Sequence, residues 1–136
     1  MVDVEILSIS IDKSSLKRLE EIQKKLGFKS RSKMLQAAVT SMLKDYEQLE
    51  SLRGRVEILF VLTYRESERN HVSNILHGFK DTIKTEMHQH GGGVGIDIFN
   101  ISADASRILK VFRELKKSKC IYSVSYYVLK GPGKTR

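Results

Sequence analysis

"SISIDKSSLKRLEEIQKKLGFKSRSKMLQAAVTSML", residues 8–43, decides how this chain is organised. With Ile6 and Leu7 before it, the stretch opens on an alternation. Leu7, Ile9 and Ile11 fall on one side and Ile6, Ser8 and Ser10 on the other, which is the period-two pattern of a strand over 6–12. The period then changes. Asp12 or Ser14 can cap a helix whose buried face is Leu16, Leu19, Ile22 and Leu26, and Gly27 ends it. A second helix starts at Ser30 or Ser32, carries Met34, Leu35, Ala38, Met42 and Leu43 on its apolar side, and runs to about Leu49. Strand, helix, helix leaves the backbone groups of a single strand without partners. A twofold dimer answers this: two copies of the strand pair antiparallel above four interlocked helices. The bland alternative is a helical hairpin with a short leading strand.

The order of alternation, glycine turn and "SRS" helix start resembles the ribbon-helix-helix DNA-binding fold. The resemblance implies that the paired strands enter the major groove, which admits a two-stranded ribbon. Ile6, Ser8 and Ser10 would then face the bases: the serines can donate or accept, and Ile6 can touch a thymine methyl. Ser30, Arg31 and Ser32 at the start of the second helix offer backbone N–H groups and a charge to a phosphate, with Lys13, Lys29 and Lys33 adding non-specific contacts. Read plainly, two serines are also what the solvent face of a ribbon looks like.

The remainder of the chain has a different grammar. "ESLRG" (50–54) is short, polar and holds a glycine, so it serves as a hinge between a domain over 1–50 and one over 55–130, with 131–136 as a flexible tail. "VEILFVLTY" (56–64) is a strand rich in β-branched and aromatic residues. Residues 67–79 fit a helix with Val72, Ile75 and Leu76 at helical spacing. Residues 83–90 and 94–102 are strands joined by glycines. An amphipathic helix follows over 104–119, with Asp104 as N-cap and Ile108, Leu109, Phe112 and Leu115 inside. Residues 121–129 form a last strand. The class is α+β, and the order β-α-β-β-α-β is the ferredoxin-like split unit also used by small-molecule-sensing ACT domains.

Charge and composition bound the function classes. The chain of 136 residues carries a formal charge of +8. Residues 1–50 hold 9 basic and 8 acidic side chains, and 51–136 hold 15 and 8, so the second part has most of the excess. A polyanionic partner fits this, as does simple solubility. Cys120 is alone, which excludes an intrachain disulfide and suits a reducing cytoplasm. No apolar run is long enough for a bilayer, and the start lacks the pattern of a signal peptide. "GGGVG" (91–95) lacks the Lys-Ser/Thr of a phosphate loop and joins two strands, so a hairpin connection is expected instead. Nothing in the chain argues for an enzyme, because the histidines have no nucleophile or carboxylate pair at catalytic spacing around them.

The histidines carry the sharper signal. His88 and His90 stand at i and i+2, on one face of a strand, where they can converge on an ion. His77 lies eleven residues earlier, near the end of the preceding helix. His71 is outside this spacing and reads as a surface residue. Ribbon-helix-helix followed by an ACT-like unit, with histidines so spaced, resembles the nickel-responsive NikR family of transcriptional regulators over essentially the whole chain. That resemblance implies a repressor of a DNA operator. It would be dimeric through residues 1–50 and tetrameric through the C-terminal domain, with metal held between subunits by His77 of one and His88 and His90 of another. The family's fourth ligand is a cysteine six residues after the second histidine of the pair, and here that count ends on Ile96. Nickel is implied by the family. Zinc, copper or cobalt also suit imidazoles without a thiolate, with water, Glu86 or Asp97 in the fourth place. Cys120 reads as a small buried apolar residue. Since histidine ligates only when neutral, binding should weaken below about pH 6. The triad is open to three readings: a metal site of altered selectivity, a degenerate one, or a coincidence of spacing. The rival functions are a metal-independent ribbon-helix-helix regulator and a small-metabolite sensor of the ACT type.

Overall fold

The computed structural model describes residues 3–131, and its contacts divide the chain into a first unit ending at Asp45 and a second beginning at Tyr46. The expected tail over 131–136 lies, apart from Gly131, outside the described residues.

The first unit contains helix α1 (Lys13–Leu26) and most of helix α2 (Arg31–Glu50). Asp12 is the residue that caps α1. Its Oδ2 accepts from the Ser15 N–H at 3.0 Å and from the Ser14 hydroxyl at 2.6 Å. These hydrogen bonds, Ser14 first, hold the Asp12 carboxyl down at about 2. Gly27 closes the helix at φ 77°, a left-handed conformation that glycine adopts without strain. Ser30 caps α2, its Oγ accepting from the Lys33 N–H at 3.1 Å. Residues 3–12 form neither helix nor ladder in the single chain, since a ladder takes a second strand. Of the described residues up to Asp45, only Met34 is buried, and α1 buries none of its side chains. Of the other residues expected on the apolar sides, Ile11, Leu16, Leu19 and Leu35 are half-buried, and Leu7, Ile9, Ile22, Leu26, Ala38, Met42 and Leu43 stand exposed. Two helices offer no third layer to cover them.

The second unit opens with the last turn of α2, whose Leu49 is 2% exposed. Strand β1 (Arg55–Arg65), a 3₁₀ turn (Glu66–Glu68), helix α3 (Arg69–His77), strands β2 (Ile83–Gly91) and β3 (Val94–Asp104), helix α4 (Ala105–Lys117) and strand β4 (Ile121–Lys130) follow. The sheet order is β2-β3-β1-β4 with every neighbouring pair antiparallel, the ferredoxin-like arrangement of ACT-like domains. Alternation in β1 sends Val56, Ile58, Phe60, Leu62 and Tyr64 to one face. There they join Phe99, Ile101 and Ala103 of β3, Val72 and Leu76 of α3, and Ile108, Val111, Phe112 and Leu115 of α4 in a single core. The Phe60 and Phe99 rings stack at 5.5 Å. Each large side chain so enclosed contributes about 1.5–3 kcal/mol. Asp104 caps α4 by accepting from the Ser106 N–H at 3.0 Å.

Between β2 and β3 the chain turns on Gly92 (φ 61°) and Gly93 (φ 82°). Two consecutive positive φ values make the two-residue turn whose twist matches an antiparallel hairpin. The turn pairs Gly91 with Val94 and so sets the register of everything behind it: His90 opposite Gly95, Gln89 opposite Ile96, His88 opposite Asp97.

Candidate metal site

β2 is an edge strand, and its even-numbered residues share a face with their partners on β3. Since Gly95 and Asp97 belong to the helix-covered face, His88 and His90 point there too. Their rings stack with centroids 6.0 Å apart. Residue 96, where counting from His90 ends, is placed differently. It pairs with Gln89 and therefore lies on the opposite face of the sheet from both histidines. Ile96 does not face them. The β3 residues that do are Gly95 and Asp97.

Around His88 a polar cluster forms at the end of the core. Asp97 is 5% exposed and Tyr64 is fully buried. The Tyr64 hydroxyl donates to Asp97 Oδ1 at 3.0 Å, and His88 Nδ1 lies 2.6 Å from the same oxygen. Burial first, then the hydrogen bond and charge of Asp97, push the Tyr64 phenol well above its ordinary range, so it stays protonated and remains a donor. The Tyr64 hydroxyl and His88 Nδ1 thus converge on one Asp97 oxygen, and Nε2 is turned away from it. A carboxylate backing one ring nitrogen while the other is left to a ligand is the arrangement that orients metal-binding histidines.

Nε2 faces Glu66. Its Oε1 is 3.4 Å away, and both His88 Nε2 and Glu66 Oε2 are enclosed without a hydrogen-bond partner. Glu66 is held over the hairpin by its own backbone, its N–H donating to the Gly93 carbonyl at 2.9 Å. A glycine at 95 makes the room. A Cβ there would come within 2.6 Å of both Glu66 Oε2 and the Tyr64 ring. The donors gathered here are imidazole and carboxylate, a set that takes zinc, cobalt, copper or nickel outside the thiolate square plane.

The other expected residues are placed as follows. His77 ends α3 and is exposed, and His71 is exposed on the same helix. Among the described residues of one chain, no three His, Cys, Asp or Glu side chains converge where one ion could be held. For His88 the reason is simple: Asp97 and Glu66 meet opposite edges of its ring. Glu86 is exposed on β2 and has no part in the cluster. Cys120 stands just before β4, on the far edge of the sheet, three strand spacings or about 14 Å across from β2. Its half-buried thiol donates to Glu68 Oε2 at 3.5 Å, and burial followed by Glu68 pushes it up. In the first unit Ile6, Ser8, Ser10, Arg31, Ser32, Lys13, Lys29 and Lys33 are exposed. Ser30 is half-buried in its capping role, and Ser32 Oγ accepts from the Gln36 amide at 3.1 Å. Sequence reading missed Tyr64, Glu66 and Gly95, none of which carries a local motif.

Residues 5–46 match the ribbon-helix-helix protein, copG family. An uncharacterized transcriptional regulator of Methanocaldococcus jannaschii is 27% identical over 125 residues, covering 86% of this chain and 91% of that one. A Methanococcus maripaludis protein named "Putative nickel-responsive regulator" is 25% identical over 133 residues, 95% of this chain and 94% of its own. Among solved structures, an uncharacterized protein of Thermotoga maritima superposes with a TM-score of 0.51 at 18% identity, covering 56% of this chain and 99% of that one, so what is shared there is the fold.

Proposed function

We propose that this chain, which joins a ribbon-helix-helix segment to an ACT-like domain on the plan of NikR-type regulators, is a metal-responsive transcriptional repressor acting on double-stranded DNA. The observation that carries the metal reading is His88: Asp97 and Tyr64 fix its Nδ1 side and turn Nε2 toward Glu66. The observation that carries the DNA reading is the exposed start of the chain within the matched segment 5–46.

In this reading Leu7 and Ile9 bury against a second copy as two strands pair, and Ile6, Ser8 and Ser10 face the major groove. Ser30, Arg31 and Ser32 meet the phosphate backbone at the α2 N-terminus. The second units assemble two dimers into a tetramer. His77, exposed at the end of α3, reaches from one subunit toward His88 and His90 of another. A bound divalent ion would supply a cross-link between subunits, coupling the two DNA-binding ends. The donor set favours zinc, cobalt or nickel in a non-planar geometry. The described residues include no helix long and apolar enough to cross a membrane, and we place the protein's work in the cytoplasm.

The test is operator affinity with and without chelator, alongside native mass spectrometry. The expected result is a metal-bearing tetramer whose DNA affinity changes on chelation, with both properties lost in the His88→Ala, His90→Ala double variant. DNA binding indifferent to chelator and to that double variant would leave a metal-independent regulator instead.

A further inference from the structure

We propose that Glu66 is itself a metal ligand, the carboxylate that shares an ion with His88. The inference rests on the metal reading above and names a residue outside the histidine pattern that prompted it. Three observations on separate elements carry it.

The first is the pair of enclosed, unpartnered atoms, His88 Nε2 and Glu66 Oε2, on side chains that face each other. Facing polar atoms enclosed without a hydrogen-bond partner call for a bridging cation, and a divalent ion supplies one. The second is their separation. Two ligand atoms about 2.1 Å from one ion lie about 3.4 Å apart at a tetrahedral angle and about 3.0 Å apart at a right angle. Here Oε1 and Nε2 are 3.4 Å apart, the tetrahedral spacing. The third is the missing side chain at Gly95, whose place Glu66 and Tyr64 fill. Any Cβ there would strike Glu66 Oε2 and the Tyr64 ring at 2.6 Å, so the side chain missing from β3 is what lets the carboxylate reach the histidine face. No thiol stands near, and oxygen replaces sulfur as the anionic ligand. An imidazole and a carboxylate suit zinc or cobalt(II), with His90 on the same face of β2 as the adjacent donor.

The experiment uses the full chain, stripped with chelator and titrated with Zn²⁺ or Co²⁺ alone, reading affinity by calorimetry and coordination by the visible cobalt bands, which are intense for four-coordinate and weak for six-coordinate ions. Glu66→Gln should weaken binding roughly tenfold or more and reduce the cobalt absorption. Glu86→Gln, changing an exposed carboxylate on the strand that carries His88, should do neither. Circular dichroism checks folding. Should Glu66→Gln fail to fold, Glu66→Asp, one methylene shorter, should fold and show weaker binding with an altered cobalt spectrum. If Glu66→Gln, or Glu66→Asp in its place, binds with wild-type affinity and spectrum while His88→Ala loses binding, the inference falls and the metal reading stands. If the wild-type chain takes up neither ion, both fall.

Discussion

The two units solve the problem of burial in opposite ways. The second encloses Phe60, Leu62, Tyr64, Ile101, Ile108 and Leu115 with its own four strands and two helices, and these residues are essentially inaccessible. The first, with a comparable pattern of apolar residues, leaves Leu7 at 85% and Leu26 at 67% exposure and α1 with nothing buried. An equal hydrophobic periodicity therefore has two meanings. Where strands can pair within the chain it describes a core, and where they cannot it describes half of one. In the function proposed above, the first unit is a surface waiting for a copy of itself, and the second is a body with its own core that carries the candidate site at one edge.

This contrast can be broken by substitution. The largest effect is expected in the finished core. Phe60→Ala should destabilise the second unit by about 3–5 kcal/mol, read as a lower urea midpoint. A midpoint that stays at the wild-type value would erase the distinction. Next comes the double change Leu7→Ser, Ile9→Ser. It should leave the second unit's unfolding unchanged and abolish dimerisation and DNA binding, at about 1.5–3 kcal/mol for each side chain no longer buried. Sedimentation and gel-shift measurements decide it, and a first unit that stays dimeric would sink the paired-ribbon account.

Smaller effects sharpen the comparison. Ser30→Ala and Asp104→Ala each remove one N-cap, one per unit, and should each cost about 1 kcal/mol. In the first unit that loss is expected to appear as reduced dimer affinity, and in the second only as a lower unfolding midpoint. The smallest is a matter of pH. Asp12 is depressed to about 2 from 3.8, so its folded-state value lies below its unfolded one. Its capping contribution is therefore complete above pH 3.8 and is lost as pH falls through 2. Helicity of α1, followed by NMR from pH 5 to 2, should fray in that window, and Asp12→Ala should remove the transition.

Much of this was legible in the sequence, and the reasons differ by level. Helices and strands follow from local periodicity and caps, which is why Asp104 and the limits of the last helix fall where Ile108, Phe112 and Leu115 put them. The histidine pair is legible because i and i+2 share a strand face. The face of residue 96 was not legible from the count to it, since a count along the chain carries no knowledge of register. Yet the register was within reach. Once Gly92 and Gly93 are taken as a two-residue turn, pairing 91 with 94 leads by simple subtraction to 90 with 95 and 88 with 97. Tyr64 and Glu66 were out of reach for a different reason. They meet His88 from 24 and 22 positions away along the chain, through a strand order that no local pattern encodes.

The edge position of β2 also has a consequence in time. His88 Nε2 is enclosed, but only by side chains at the rim of the sheet, one of which, Glu66, keeps 29% of its own surface exposed. Whatever reaches that nitrogen needs a carboxylate to swing aside, a rotation on the picosecond-to-nanosecond scale for exposed groups. It does not need a strand to leave the sheet, which would take as long as unfolding itself. If the site binds metal as proposed, the speed with which it answers its surroundings is thereby uncoupled from the durability of the fold that holds it, and a slower, stiffer core costs the response nothing.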